Sequence, residues 1–213
     1  MSDFTVAHEE KFDHGIIGRV VYDPNPQAPD WDTVGQIAYL GRSRYTLGTE
    51  SVSEERMDEI RDGIESGELI GLPVYAYVHS GATIRCGAFN DPWDSGQSGF
   101  VYCDKERGIK ECGSVEQALK CLESEVAVFD AYLTGQVFGY EVVDADGEHL
   151  DSCWGFYDTD DDKYGGALEE MRNAAQYHAK EVAEAKRTAW RAALQEARER
   201  RYWAQRDTLT QGA

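Results

Sequence analysis

The chain has 213 residues, of which 40 are Asp or Glu and 21 are Lys or Arg, so its formal net charge at pH 7 is −19. The whole surplus lies in residues 1–164, with 33 acidic and 12 basic residues, whereas residues 165–213 hold seven acidic and nine basic ones. A negative field repels phosphate backbones, which argues against direct nucleic-acid binding by the acidic part. It favours instead a partner protein with a basic surface.

The sequence also argues against a membrane span, a secretion signal, a disulfide framework and a zinc site. No apolar run approaches the roughly 18 residues of a membrane span, and the N-terminus has acids where a secretory signal needs basic residues and an apolar core. Five widely spaced cysteines without a C-x-x-C pair fit neither a disulfide framework nor a zinc site. We therefore expect a cytoplasmic protein that contacts no membrane and carries no cofactor.

The first half of the chain alternates short apolar runs with turn signals, a pattern typical of strands. Met57, Ile60 and Ile64 recur at helical spacing and predict a helix over 53–66, which Gly67 ends. Strands are predicted at 16–22, 36–40 and 99–103, with a hairpin over 72–86.

The second half has stronger helix signals. Ser114 and Gln117 form a capping box, and apolar residues at steps of three and four predict a helix from there to Leu133. An Asp-Gly turn predicts a second hairpin over 137–157. A helical pattern without Pro or Gly then runs from Gly166 to about Trp203, or roughly 57 Å at 1.5 Å per residue.

These elements lack regular βαβ alternation. We predict an α+β fold, with an antiparallel sheet built from hairpins, two packed helices and one long C-terminal α-helix. The predicted domains are an acidic α+β domain over 1–163 and a helical extension over 164–213.

The long helix is alanine-rich in its first half, which can pack back onto the body. Its second half carries basic and aromatic residues that can form an exposed arm: Arg187, Arg191, Arg198, Arg200, Arg201, Tyr202 and Trp203. Such an end can bind the acidic body of a second copy, a partner protein or nucleic acid. We favour homo-oligomerisation through this helix.

Three segments, at 92–102, 132–142 and 150–158, mix large aromatics with glycines. One interpretation is structural, because glycine lets an aromatic ring lie against bare backbone. The other is that a set of motif residues converges on one pocket or interaction face: Trp93, Asp94, Ser95, Gln97 and Trp154.

The same segments carry a resemblance. The chain shows W-D-S-G-Q-x-G-F at 93–100, Y-L-x-G-x-V-x-G-Y at 132–140 and L-D-S-C-W-G-F-Y at 150–157, with a weaker R-Y-x-L-G at 44–48. In these motifs it resembles a family of uncharacterised proteins from phages and conjugative elements, over roughly residues 30–157. The resemblance implies a mobile-element origin and no catalytic residues. By analogy with other small phage proteins, it points to binding and disabling host machinery.

An aspartate-rich loop precedes the long helix. Asp158, Asp160, Asp162 and Glu169 fall at positions 1, 3, 5 and 12 of a calcium loop. Lys163 replaces the usual glycine, and a strand rather than a helix is predicted before the loop. The alternative is a solvated loop whose acids favour the helix N-terminus.

The densest acidic stretch runs from Glu141 to Asp162, with nine acids and no Lys or Arg. It is either an ordinary solvated surface or a mimic of DNA phosphates that occupies the basic groove of a host nuclease or defence protein. For the second interpretation, the loop residues Asp158, Asp160, Asp161 and Asp162 are the candidate binding acids.

Signals for catalysis are sparse. Cys103 or Cys153 could pair with His79 or His149, although cysteines at such positions also serve as small buried apolar residues. No Walker loop, dinucleotide fingerprint, nucleophile elbow or H-E-x-x-H is present. The sequence thus favours an interaction protein over the alternative, a small-ligand-binding protein or enzyme with a pocket around Trp93, Asp94, Gln97 and Trp154.

Overall fold

The computed structural model describes residues 4–29, 33–41, 44–91, 93–159 and 163–210, with side chains up to Trp203. In this described part the chain has an α+β fold of nine strands and four α-helices. The predicted class, with antiparallel hairpins and a long C-terminal helix, is confirmed.

The elements follow one another as the sequence pattern suggests, with some additions. The strands are β1 (Val6–Lys11), β2 (Ile17–Tyr22), β3 (Gln36–Leu40), β4 (Glu50–Val52), β5 (Leu69–Val78), β6 (Ala82–Arg85), β7 (Ser95–Asp104), β8 (Val137–Val143) and β9 (His149–Tyr157). The helices are α1 (Glu54–Ser66), α2 (Lys105–Cys112), α3 (Val115–Leu133) and α4 (Ala167–Thr210).

The strands divide between two sheets instead of the single sheet expected. An antiparallel four-stranded sheet has the order β1-β2-β8-β9, and a five-stranded sheet has the order β4-β3-β7-β5-β6. In the second sheet, β3 and β4 pair in parallel.

Helix α4 covers one face of the four-stranded sheet. Its first half buries Met171 and Ala175 in a core with Val20 and Phe138. Gly18 on β2 makes room for this contact, since a Cβ added there would lie 2.0 Å from the Met171 Sδ. The first half of α4 is therefore an integral part of the body.

Helices cover both faces of the five-stranded sheet. Phe100 and Tyr102 on β7 face α1, whereas the alternate residues Val101 and Cys103 belong to the core under α3. Helix α1 therefore packs on the sheet through one side and exposes its other side to solvent.

The N-cap predicted at Ser114 and the C-cap predicted at Gly67 are confirmed, and Ser53 caps α1 as well. The Ser53 hydroxyl accepts a hydrogen bond from the Arg56 N–H at 3.2 Å, and Ser114 accepts one from the Gln117 N–H at 3.2 Å. Gly67 follows α1 in the left-handed conformation, with φ 77°.

Helix α2 and strand β1 were not anticipated, for a common physical reason. Gly108 is the only fully buried residue of α2, and Asp104 caps that helix through its carboxylate. Strand β1 has no fully buried residue, since it forms an edge of its sheet. Elements that bury so little apolar surface leave no hydrophobic periodicity to detect.

A carboxylate clamp joins β1 to α4. Glu10 accepts hydrogen bonds from the Arg172 Nε at 3.0 and 3.1 Å, and His8 Nε2 lies 2.9 Å from its Oε1. The hydrogen bond from Arg172, followed by that from His8, lowers the pKa of Glu10 to about 2. Arg172 thereby ties the long helix to the edge of the sheet.

This clamp predicts a pH-dependent contribution to stability. Because the pKa of Glu10 is lower in the folded state, its contribution is present above the unfolded pKa and is lost as the pH falls towards 2. We expect Glu10→Gln to lower the urea midpoint at pH 7, and the difference from the unmodified protein to shrink as the pH falls and to vanish below about pH 2. Glu170→Gln is the control, because Glu170 is an exposed acid of α4 that takes no part in the clamp. An equal effect of both substitutions would contradict the clamp.

Candidate functional site

The second half of α4 leaves the body. Val182 is the last residue packed on the four-stranded sheet, and every residue from Glu184 to Trp203 is exposed. At 1.5 Å per residue this segment, which we call the arm (residues 184–203), extends about 30 Å.

The arm exposes large apolar side chains. Trp190 is 65% exposed, and Leu194, four residues later, lies on the same side of the helix. Tyr202 and Trp203 are exposed at the far end. Exposed apolar side chains grouped in this way mark interaction surfaces more often than isolated ones do.

The arm is also basic, with six Lys or Arg and three Glu. Within the described part of the chain, Arg187, Arg191 and Arg198 form no ion pair, whereas Arg200 lies 3.6 Å from Glu196. Arg187, Arg191 and Arg198 fall within about 40° of one another around the helix, since it has 3.6 residues per turn. We call them the arginine ridge.

The acids of the second hairpin do not share one face. Glu141 lies beside Arg19, whose Nη1 is 3.6 Å away, on the face that α4 leaves open. Asp151 lies on the other face, 4.0 Å from His178 of α4. Asp144 Oδ1 accepts backbone hydrogen bonds within the hairpin turn. Most described acids of this stretch are thus engaged in local contacts.

Helix α1 carries a more regular acidic surface. Glu55, Asp58, Asp62 and Glu65 are exposed at spacings of three and four, along about 15 Å of its outer side. Asp58 pairs with Arg61 at 2.7 Å. This acidic ridge was not identified from the sequence, although the spacing of its residues is visible there.

The loop acids proposed for binding are only partly described. Asp158 Oδ2 accepts the Tyr164 N–H at 3.0 Å, and Tyr164 has the left-handed φ of 69° that this bond supports. Glu169 is exposed in the first turn of α4. Asp160, Asp161 and Asp162 lie outside the described residues, so the calcium loop stays a prediction. Elsewhere in the described chain, no group of three or more His, Cys, Asp or Glu is placed to hold a metal ion.

The motif residues at the start of β7 stabilise a turn. Asp91 Oδ1 accepts the backbone N–H groups of Trp93 at 2.9 Å and Asp94 at 3.2 Å, and its carbonyl oxygen accepts the Ser95 hydroxyl. Gln97 donates to the Gly99 carbonyl at 3.3 Å. The Trp93 side chain is 92% exposed.

Trp154 lies in the other sheet, on β9. Its indole stacks edge-on with Phe4, with ring centroids 5.0 Å apart, and covers the backbone of Gly139 on β8. Two of the aromatic-glycine motifs therefore meet here. The third motif, with Trp93, belongs to the five-stranded sheet, so the expected single cluster is divided between two places.

The contact between Trp154 and Gly139 predicts that a larger residue at position 139 destabilises the protein. A Cβ at Gly139 would lie 2.2 Å from the Trp154 Cε3, so Gly139→Ala is expected to displace the indole and to destabilise the protein by about 1–3 kcal/mol. Urea unfolding measures this loss. In a Trp154→Ala background the same substitution should cost less, and an unchanged cost would contradict the contact.

A pocket of about 650 Å³ opens beside Trp154. It is lined by Phe4, Asp23, Pro24, Asn25, Gln27, Trp154, Gly155 and Tyr157. The Tyr157 hydroxyl donates to the Gln27 carbonyl at 2.6 Å and so fixes one wall. Sequence reasoning found Trp154 but not the N-terminal residues that complete the pocket.

The suggested cysteine nucleophiles lack support. Cys103 is buried, and burial raises the pKa of its thiol, so the nucleophilic thiolate is disfavoured. Cys153 is exposed on β9, and the ring of His149, four residues before Cys153 on the same strand, lies 3.1 Å from the Ser152 hydroxyl.

Comparisons with protein-family models, curated proteins and solved structures gave no match. Among the described helices, none is long and apolar enough to cross a membrane. The function is therefore inferred from the exposed residues and the pocket of this chain alone.

Proposed function

We propose that this protein is an accessory protein of a phage or other mobile element that acts by binding other proteins, with the arm as its principal binding surface. The observation that carries this proposal is the run of 20 exposed helical residues with Trp190, Leu194 and an unpaired arginine ridge. The mobile-element origin rests on the resemblance of the three motifs alone.

The arm is costly to leave unpartnered. The side chains of Trp190 and Leu194 gain nothing from the body, since no residue after Val182 packs on the sheet within the described chain. Isolated helices are only marginally stable in water, and most of a helix's stability comes from packing an apolar face. A partner that covers Trp190 and Leu194 supplies that packing.

The acidic body supports a second contact, to a protein with a basic surface. The acidic ridge of α1 has one carboxylate per about 5 Å, whereas one strand of duplex DNA has a phosphate per about 3.4 Å of axis. This density suits the binding of a basic protein surface better than close mimicry of a duplex. An inhibitor of a host DNA-binding or defence protein is the form of this function that we propose.

Affinity capture with matched variants tests the function. We expect the full chain to retain a protein from host lysate at low salt, and Trp190→Ala to lose it. Tyr177→Ala is the control, because Tyr177 is 58% exposed on the same helix but precedes the arm. Equal capture by all three chains would overturn the role of the arm.

A second candidate function is small-ligand binding in the pocket beside Trp154. Its aromatic and proline lining, together with the polar residues Asp23 and Asn25, has the composition of a ligand site. Binding of a fragment library should change the fluorescence of the protein, and Trp154→Ala should abolish the response. Fragments that bind both chains equally would exclude this pocket.

A further inference from the structure

The arginine ridge of the arm and the acidic ridge of α1 are complementary in spacing as well as in charge. Along the arm, Arg191 and Arg198 lie about 6 and 16.5 Å from Arg187, at 1.5 Å per residue. Along α1 in the opposite direction, Asp62 and Glu55 lie about 4.5 and 15 Å from Glu65. The two series agree to within about 1.5 Å at each position.

The acids of this series are available for an external contact. Glu55, Asp62 and Glu65 are exposed and form no ion pair or hydrogen bond within the described part of the chain. They lie within about 80° of one another around α1, because Met57 and Ile60 turn the opposite side towards the sheet. Since α1 packs on the sheet through that opposite side, the row faces solvent.

We propose that the arm of one copy docks antiparallel along α1 of a second copy, with Arg187 opposite Glu65, Arg191 opposite Asp62 and Arg198 opposite Glu55. This inference rests on the proposed function of the arm as a binding surface and names its partner. A two-fold arrangement repeats the contact, so that each copy gives one arm and receives one.

Charge decides between the ways in which two copies can meet. Each arm has six basic and three acidic residues, so two arms side by side repel each other. Residues 54–68 have seven acidic and two basic residues and attract an arm. Nucleic acid is disfavoured as the occupant because the rest of the chain is strongly negative.

The charged pairs and the apolar residues have different roles in this interface. Exposed ion pairs add little affinity, but they orient partners and speed their association. Leu194 lies between Arg191 and Arg198 on the docking side, and Trp190 flanks it. Any water that these two side chains lose on docking adds an apolar contribution to the charged contacts.

Charge reversal in the full chain tests the proposal. One variant reverses the arm (Arg187→Glu, Arg191→Glu, Arg198→Glu), and the other reverses α1 (Glu55→Arg, Asp62→Arg, Glu65→Arg). By analytical ultracentrifugation, the unmodified chain should dimerise, and each variant alone should dimerise at least tenfold more weakly. An equimolar mixture of the two variants should form the mixed dimer, because both of its contacts regain opposite charges.

The control applies the change of charge of the α1 variant elsewhere, with Glu106→Arg, Glu116→Arg and Glu123→Arg on the exposed sides of α2 and α3. It should dimerise as the unmodified chain does. The proposal is overturned if the unmodified chain stays monomeric, if the reversals leave the dimer intact, or if the mixture fails to associate. A monomeric chain that still captures a host protein through Trp190 would refute the second copy as partner and leave the binding function standing.

Discussion

Replacing Met171 by alanine is expected to lower the free energy of unfolding by about 2–5 kcal/mol, the range for truncating a buried methionine. Met171 is fully buried at the centre of the contact between α4 and the four-stranded sheet. The other buried residues of this helix are alanines, which contribute little apolar area, so this side chain is the main apolar anchor of α4.

A double-mutant cycle with Gly18 isolates this contact. Gly18→Ala alone is expected to be destabilising, since its Cβ would lie 2.0 Å from the Met171 Sδ. Once Met171 is alanine the collision is removed, so the two losses should not add. Urea unfolding of the four chains gives the coupling.

Met57→Ala is the matched control for this cycle. Met57 is also buried, but it packs between α1 and the five-stranded sheet. Its truncation should cost a similar amount and add to that of Gly18→Ala without coupling. Additive losses for Met171 and Gly18 would show that the helix is anchored elsewhere.

The packing of Met171 also affects the proposed binding function of the arm. The arm begins 13 residues after Met171, so the packing of the first half of α4 fixes the direction in which the arm projects. A loosened anchor should therefore weaken association through the arm, even though no arm residue has changed.

Periodic elements were predictable from the sequence, and polar ones were not. The apolar steps of α3 and the Asp-Gly turn between β8 and β9 are local signals, and both elements are present as predicted. Helix α2 and strand β1 bury too little apolar surface to show a pattern. The division into two sheets was hidden for another reason, since β2 pairs with β8 across more than 100 residues. A strand's own pattern identifies its buried face but not its partner.

The candidate binding surfaces, too, could be predicted only in part from the sequence. The basic and aromatic end of α4 was evident from composition, but the point at which it leaves the body depends on how far the sheet extends beneath it. The aromatic-glycine residues were recognised as unusual, yet their partners were not. Trp154 packs on Gly139 of another motif, and Trp93 lies exposed in the turn that precedes β7.

Gly99→Ala is the second substitution for which we expect a large effect, a loss of about 3 kcal/mol or more of unfolding free energy. A Cβ at Gly99 would lie 1.8 Å from the Ala38 carbonyl oxygen and 3.1 Å from the Tyr39 Cα. Both are backbone atoms of the neighbouring strand β3, so no side-chain movement can relieve the collision. The pairing of β3 with β7 must open at this point.

Gly96 provides the control within the same strand and the same motif. No atom lies within 4 Å of a Cβ built there, so Gly96→Ala should be neutral or stabilising by up to about 1 kcal/mol. Thermal and urea unfolding of the two variants measure the contrast. If Gly99→Ala is instead as well tolerated as Gly96→Ala, the strands do not approach each other as described. A large difference indicates that Gly99 serves the packing of the sheet, so that a binding role in this motif must be sought in its exposed residues, Trp93 first.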